Sequence, residues 1–303
     1  MYNFLRTIAA RYGGYEHEYL FHQKWHNFYG AESRPFVKPG FHLWSDHVRL
    51  RQIIMIGAPQ AISESFKLTL VRNPLDRCLS AFYYYICTRT HTPWDMIPED
   101  DMMKHKLEFH SCGGGKKTAT QMMEIAPSGA SSTVEEALAF YNFIGVTERF
   151  MESLTVIKML LGLRYGDMLY FDSKVSGSRN DRTPHPTIAE EPEEFVTHLK
   201  TLIGSEDEEL FAAANNMLTE IIANLEPEFS VVHDKVVKTV NQARFECGDQ
   251  DDRPLLIAEA CFTYGHCRLS CLNKFATDHD LWDVPIPVTV NVTGPVATAD
   301  RRQ

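Results

Sequence analysis

The sequence predicts an α/β protein in which a central parallel sheet is flanked by helices. Short apolar segments alternate with longer segments of helical periodicity, and residues 66–71 (FKLTLV) end in an apolar run that is typical of a buried parallel strand. The chain has 303 residues and an apolar fraction of 44%, which is ordinary for a folded globular protein. It is therefore long and apolar enough to bury a substantial core.

The first half of the chain alternates helices with candidate strands. The predicted elements are a helix at 2–12, strands at 19–22, 53–56 and 66–71, a helix from Pro74 or just after it to Cys87, and a long excursion at 88–132. Pro74 indicates a helix start because proline is favoured in the first helical turn. The excursion is rich in Met, His, Gly and Ser, and its weak periodicity predicts only a broken helix near 118–124.

The second half continues the alternation and then loses it. The predicted elements are a helix at 134–141, a strand at 143–145, a helix at 148–161, a loop at 172–187 and helices at 190–203 and 206–224. After Pro227 the helical pattern weakens, and a cysteine-containing tail with a Pro/Val/Thr-rich end follows from Asp249. We therefore predict one domain at 1–228 and a C-terminal extension at 229–303.

The charge balance bears on possible partners. The formal net charge of −10 argues against general nucleic-acid binding, which needs an excess of Lys and Arg. An anionic ligand would need a local basic pocket. Basic residues near a cleft could meet a polyanion, although they are equally well explained as solvated surface charges: Arg34, Lys38, Arg49, Lys116 and Lys117.

Four of the seven cysteines lie close together near the C-terminus: Cys247, Cys261, Cys267 and Cys271. They are explained by buried or free thiols, by one or two disulfides, or by a zinc site, although the paired spacing of common zinc modules is absent. Disulfides would suit a secretory compartment, as would the glycosylation sequon at Asn291.

Residues 71–82 (VRNPLDRCLSAF) are the most informative segment for chemistry. Arg72 ends the predicted strand, and Ser80 lies one or two turns into the following helix. A forked cation and a hydroxyl in this arrangement can converge on one anion at the carboxyl edge of the sheet, where open α/β sheets bind ligands. The alternative is that Arg72 and Asp76 form only a surface ion pair at a helix start.

This segment resembles the 3′-phosphate-binding motif of sulfotransferases that use 3′-phosphoadenosine 5′-phosphosulfate (PAPS). In that family the matching arginine and serine hold the 3′-phosphate of the donor, a role that the resemblance assigns to Arg72 and Ser80. It also implies a P-loop NTPase-like sulfotransferase fold. A nucleotide kinase shares such a sheet, but the Arg72/Ser80 pair and the absence of a Walker-type Lys-Ser/Thr argue against one.

Three further segments make the match resemble heparan sulfate 2-O-sulfotransferase and its uronyl relatives. Residues 38–48 (KPGFHLWSDHV) are similar to the segment that holds the family's proposed catalytic base, which implies that role for His47, with His42 as a second candidate. Residues 143–148 (FIGVTE) match a strand-to-helix turn of the family. The segment after residue 170 resembles the loop that closes over the donor, with approximate matches at Tyr170, Ser176, Arg179 and Thr183.

The implied reaction transfers a sulfuryl group from PAPS to a hydroxyl of an anionic, glycosaminoglycan-like polysaccharide, such as a uronic acid 2-hydroxyl. A base with a pKa near neutrality suits this step, and no metal is needed. For His47 the alternative is a structural histidine near Trp44. The resemblance implies the Golgi lumen, with membrane anchoring by a segment ahead of Met1.

One donor element of the family has no counterpart here. The Pro-Lys-x-x-x-Thr/Ser loop that holds the 5′-phosphosulfate occurs nowhere in the sequence. Met1–Arg6 resemble the helix that follows that loop, so we expect the first strand and the loop to precede this chain and the chain alone to transfer little sulfate. The alternative is a catalytically inactive glycan-binding protein on the same fold.

Overall fold

The computed structural model describes residues 67–90, 92, 94–112, 121–126, 132–170, 185–248 and 269–282. The elements predicted ahead of residue 67 and most of the loop predicted at 172–187 lie outside these ranges. The described part of the chain is mostly helical, contains a small parallel sheet, and is broadly α/β. The coarse fold class that the sequence predicts is thus confirmed.

The described elements follow one another as two strands among nine helices. In chain order they are β1 (Leu68–Val71), α1 (Pro74–Thr90), α2 (Glu99–Glu108), α3 (Gln121–Ile125), α4 (Val134–Phe140), β2 (Phe143–Val146), α5 (Phe150–Leu161), α6 (Glu193–Thr201), α7 (Ser205–Leu225), α8 (Glu228–Gly248) and α9 (Leu269–Asp278). Short 3₁₀ turns lie at Trp94–Met96, Thr147–Arg149, Gly166–Met168 and Ile188–Glu190. None of the helices in the described ranges combines the length and apolarity needed to cross a membrane.

The two strands pair in parallel, from Leu68 opposite Phe143 to Val71 opposite Val146. All four residues of β2 are buried, as expected for a parallel strand covered on both faces. A parallel pair needs a long crossover connection, and α1 to α4 lie within it. The two carboxyl ends of the strands therefore meet at one edge of the sheet.

The helix α1 begins where the sequence predicts, at Pro74. The side-chain oxygen of Asn73 accepts hydrogen bonds from the backbone N–H groups of Leu75 (3.0 Å) and Asp76 (3.3 Å), which satisfies two amides of the first turn. The start of α1 is thus stabilised by a side chain of the turn that precedes it.

The described chain divides into two compact units. The first contains 67–160 and 185–230, and the second contains 161–170, 231–248 and 269–282. The division that the sequence predicts after residue 228 stays a prediction, because it also concerns residues outside the described ranges.

The first unit has a core between α1, α2 and α6. Its buried members are Cys78, Leu79, Phe82, Tyr83, Ile86, Met102, Cys112, Phe195 and Leu199. A disulfide between Cys78 and Cys112 closes this core covalently.

The second unit has its own apolar cluster, which contains Leu169, Ala243, Cys247, Leu272, Phe275, Ala276 and Leu281. A disulfide joins Cys247 of α8 to Cys271 of α9. Of the alternatives for the C-terminal cysteines, the structure has the disulfide for this pair, whereas Cys261 and Cys267 lie outside the described residues. The Cys78–Cys112 pairing has no counterpart in the sequence-based expectations.

The helix α8 corrects the expectation of a weakened pattern after Pro227. Its buried apolar positions in the second unit are Val236, Val240, Ala243 and Cys247, which recur at intervals of four, three and four. Small and β-branched residues form this buried face, so it has little contrast with the polar residues around it.

The helix α2 corrects the expectation of an excursion with one broken helix. Only Met102 and Lys106 of its ten residues are buried, so α2 carries no apolar stripe for periodicity to detect. Where the sequence predicts the broken helix near 118–124, the structure has α3 at Gln121–Ile125. The ten-residue helix α9 (Leu269–Asp278) lies within the segment that the sequence predicts to be a tail.

Candidate functional site

Arg72 lies at the carboxyl edge of the sheet, between the end of β1 and the start of α1. Thr147 and Glu148, which follow β2, contact the same turn. The Thr147 hydroxyl donates a hydrogen bond to the carbonyl of Val71 (3.0 Å), and a carboxylate oxygen of Glu148 accepts one from the N–H of Asn73 (2.9 Å). The segment after β2 thus holds the backbone on both sides of Arg72.

Gln121, the first residue of α3, binds the backbone of Arg72 itself. Its side-chain oxygen accepts from the Arg72 N–H at 2.8 Å, and its side-chain nitrogen donates to the Arg72 carbonyl at 2.7 Å. A neighbouring strand makes the same two bonds in a sheet, so the amide group extends the hydrogen bonding of β1 beyond its last residue. Gln121 is buried and both bonds are partly buried, which limits the access of water to them.

Asp207, in the first turn of α7, fixes Gln121 in turn. Its two carboxylate oxygens accept from the backbone N–H groups of Gln121 and Met122, both at 2.9 Å. A nitrogen of the Arg77 guanidinium lies 3.3 Å from the same carboxylate, and Asp207 is only 1% exposed. A buried carboxylate needs such partners, because an isolated charge is costly away from water.

Ser80 lies in the second turn of α1, on the helix that Arg72 precedes, and both residues are partly buried. The two residues of the predicted anion site thus belong to one strand–turn–helix segment, as expected. Because Asn73 occupies the N–H groups of Leu75 and Asp76, an anion at this edge would be held by side chains and not by those amides.

Tyr170 belongs to the second unit, where it is 3% exposed and the Arg244 guanidinium carbon lies 4.9 Å from the centre of its ring. The other predicted site residues lie outside the described ranges: His42, His47, Ser176, Arg179 and Thr183.

A second polar cluster, absent from the sequence-based expectations, lies in the core of the first unit. The carboxylate of Glu191 accepts from the Tyr83 hydroxyl and from Lys106, whose ammonium nitrogen is 2.5 Å away. The Lys106 ammonium also lies over the Phe195 ring, 5.3 Å from its centre. His185 stacks on Tyr83, with the two rings parallel within 1° and their centres 5.0 Å apart. These contacts indicate a structural cluster that satisfies a buried carboxylate.

Sequence reasoning missed Gln121, Asp207 and Glu191, for a common reason. Gln121 contacts Arg72, which lies 49 positions earlier in the sequence, and Asp207 contacts Gln121 across 86 positions. No local sequence pattern distinguishes either side chain from its neighbours. Asp207 lies between Glu206 and Glu208 in the first turn of α7, where acidic residues are common because they favour the helix dipole.

No group of His, Cys, Asp or Glu side chains within the described ranges is arranged to hold a metal ion. Comparison of the chain with protein-family models, with curated proteins and with solved structures finds no match. Its function is therefore inferred from its own residues and contacts.

Proposed function

We propose that this chain belongs to a PAPS-dependent sulfotransferase that acts on an anionic polysaccharide of the glycosaminoglycan kind, such as at a uronic acid 2-hydroxyl in the Golgi lumen. In this proposal the parallel sheet is part of a P-loop NTPase-like sulfotransferase fold. Arg72 and Ser80 hold the 3′-phosphate of the donor nucleotide. His47 is the proposed base, with His42 as the second candidate, and Tyr170, Ser176, Arg179 and Thr183 are proposed donor contacts.

One observation carries the proposal: Arg72 follows the carboxyl end of a parallel strand, both its backbone N–H and its carbonyl are hydrogen-bonded by Gln121, and it lies directly ahead of the helix that carries Ser80. Ligands of open α/β sheets bind at this edge. A guanidinium is the cation best suited to a phosphate, because its planar fork donates two parallel hydrogen bonds. The fixed backbone reduces the conformational freedom that binding would otherwise have to remove.

The chemistry of the proposed reaction requires a base and a stabilised leaving group. The oxygen of a sugar hydroxyl forms a bond to sulfur, the bond between sulfur and the phosphate oxygen breaks, and the hydroxyl proton passes to the base. The leaving nucleotide keeps the electron pair of the broken bond, so cations near its phosphates favour the step. With a net charge of −10, the chain must supply that positive charge locally.

Nucleotide binding tests the proposal without requiring turnover. The affinity of the chain for adenosine 3′,5′-bisphosphate is compared with that for adenosine 5′-monophosphate by titration calorimetry, since the two ligands differ only in the 3′-phosphate. We expect the bisphosphate to bind about 10- to 100-fold more tightly, the range that charge-assisted hydrogen bonds provide. We expect Arg72→Ala to abolish the preference and Ser80→Ala to reduce it by about 5- to 10-fold.

Two matched variants sharpen this test. Arg72→Lys keeps the charge but loses the planar fork, so we expect it to retain only part of the preference. Lys200→Ala removes an exposed positive charge from α6 and should leave the preference unchanged. Equal affinity of the unaltered chain for the two nucleotides would overturn the proposed function.

A further inference from the structure

We propose that Gln121 and Asp207 are positioning residues of the nucleotide site, which aim the Arg72 guanidinium at the 3′-phosphate through its backbone. This inference rests on the proposed function. It assigns a role to a segment of the chain that the Arg72/Ser80 motif does not contain.

The first step is the geometry at Arg72. Arg72 follows the last paired residue of β1, Val71, so its N–H and carbonyl lie beyond the paired residues of β1 and β2. The Gln121 amide binds both groups, at 2.8 Å and 2.7 Å. Two hydrogen bonds to one residue restrict both of its backbone torsions, and with them the direction in which its side chain leaves the chain.

The second step is the support of Gln121. Asp207 accepts from the N–H groups of Gln121 and Met122, and it also pairs with Arg77. Arg77 lies five residues after Arg72 in the same strand–turn–helix segment. The contacts therefore form a closed ring, which starts at Arg72, passes through Gln121 and Asp207, and returns to the helix that follows Arg72.

The third step is the environment of the ring. Gln121 is 6% exposed and Asp207 is 1% exposed, so water cannot easily replace the hydrogen bonds that they make. Loss of the Gln121 amide would leave both backbone groups of Arg72 without those partners. A long side chain amplifies a small backbone rotation, and a misplacement of about 1 Å can reduce the effect of a positioned group by up to about 100-fold.

A purely structural role for Gln121 would give a different result. Ser153 provides the matched control, because its hydroxyl binds both backbone groups of Val146 at the end of β2, accepting from the N–H at 2.9 Å and donating to the carbonyl at 3.1 Å. Ser153→Ala thus removes a similar pair of side-chain-to-backbone bonds from the neighbouring strand without touching Arg72.

The experiment measures the affinity ratio between adenosine 3′,5′-bisphosphate and adenosine 5′-monophosphate in folded variants of the full chain, with folding verified by circular dichroism. We expect Gln121→Met, which keeps the side-chain volume, to lower the ratio by about 10-fold and to change the affinity for the monophosphate by less than about 2-fold. Asp207→Asn is a second variant, with an expected loss of about 3- to 10-fold. Ser153→Ala should leave the ratio unchanged.

A double variant separates positioning from other effects. If Gln121 acts through Arg72, adding Gln121→Met to Arg72→Ala should lower the ratio no further. The positioning role would be overturned if Gln121→Met and Asp207→Asn left the affinity ratio unchanged while Arg72→Ala reduced it to one. The proposed function would remain intact in that case. A ratio of one in the unaltered chain would instead overturn both.

Discussion

Gly145 of β2 and Ser153 of α5 lie so close together that no side chain fits at position 145. A Cβ atom on Gly145 would lie 2.9 Å from the Cβ of Ser153 and 2.5 Å from the Cδ2 of Leu70. The strand therefore packs tightly against both its partner strand and the helix that follows it. Glycine is required here by the close approach of other elements and not by an unusual backbone conformation.

We expect Gly145→Ala to destabilise the chain by about 1–3 kcal/mol, the usual cost of overpacking a dense core. Unfolding in urea measures the change. The substitution Ser153→Gly removes the Cβ of residue 153 that would lie 2.9 Å from the new side chain. In this background Gly145→Ala should therefore lower the unfolding free energy by a smaller amount. An equal cost in both backgrounds would show that the contact with Ser153 is not its cause.

The buried pair of Lys106 and Glu191 gives a second expectation. Lys106→Met should destabilise the chain by about 3–5 kcal/mol, because it leaves a buried carboxylate without its cation. Lys274→Met is the matched control, since Lys274 pairs with Asp278 on an exposed helix face, with side-chain exposures of 75% and 53%. The control should change the unfolding free energy by less than about 1 kcal/mol. If urea unfolding gave similar losses of free energy for the two variants, the burial of the Lys106–Glu191 pair would not be the cause of its effect on stability.

Tyr141 makes stability depend on pH in the alkaline range. Its hydroxyl donates to the carbonyl of Ile125 at 2.9 Å, and burial raises its pKa well above the usual value of 10.0. A raised pKa means that the folded state favours the neutral phenol, so this stabilisation is complete below pH 10.0 and declines as the pH rises from there toward the higher folded-state value.

We therefore expect Tyr141→Phe to lose less stability than the unaltered chain between about pH 8 and about pH 11. At neutral pH the variant should be less stable by about 1 kcal/mol, because one hydrogen bond is missing. Tyr84→Phe, at a tyrosine that is 58% exposed, is the control for a general effect of tyrosine removal. Unfolding free energies across this pH range would contradict the expectation if Tyr141→Phe and the unaltered chain lost stability in parallel.

The disulfide between Cys78 and Cys112 closes a segment with a sequence separation of 34. We expect the double variant Cys78→Ala/Cys112→Ala to lower the unfolding free energy by about 2–4 kcal/mol, since the open chain has more unfolded conformations. Peptide mapping without reductant should recover the two cysteines in one linked peptide pair. Alkylation of both thiols in the denatured, unreduced chain would show that the bond is absent.

Glu148 places a carboxylate at the edge where we propose a phosphate binds, because it accepts from the N–H of Asn73 next to Arg72. Glu148→Gln retains an oxygen acceptor but removes the charge. We expect it to raise the affinity for adenosine 3′,5′-bisphosphate by about 2- to 5-fold, with a smaller change for the monophosphate. Equal gains for the two nucleotides would place the effect of Glu148 away from the 3′-phosphate.

The elements around Arg72 follow from local sequence patterns. The run of apolar residues before it predicts β1, Pro74 predicts the start of α1, and residues 143–145 and 148–161 predict β2 and α5 to within two residues. The apolar residues of these segments, and the residues that mark their ends, are enough to define the strands and helices.

The contacts that hold Arg72 do not follow from local patterns. Gln121 and Asp207 reach it from segments that the chain brings near only by folding, and a glutamine or an aspartate in such a segment looks like any surface residue. The helix α8 escapes sequence reasoning for another reason, since the buried residues of its second-unit part are valine, threonine, alanine and cysteine spread among charged residues. Periodicity detects a helix only when its buried face is much more hydrophobic than its exposed face, and in these segments the difference is small.

The bond between Cys247 and Cys271 has a consequence for the integrity of the chain. A protease that cut the backbone once between these two cysteines would leave the fragments joined through sulfur, so the nicked protein would keep its full mass in a denaturing gel without reductant. Thiol treatment would then release a C-terminal piece that carries α9. The fragments before and after such a nick therefore remain one molecule for as long as the surroundings stay oxidising.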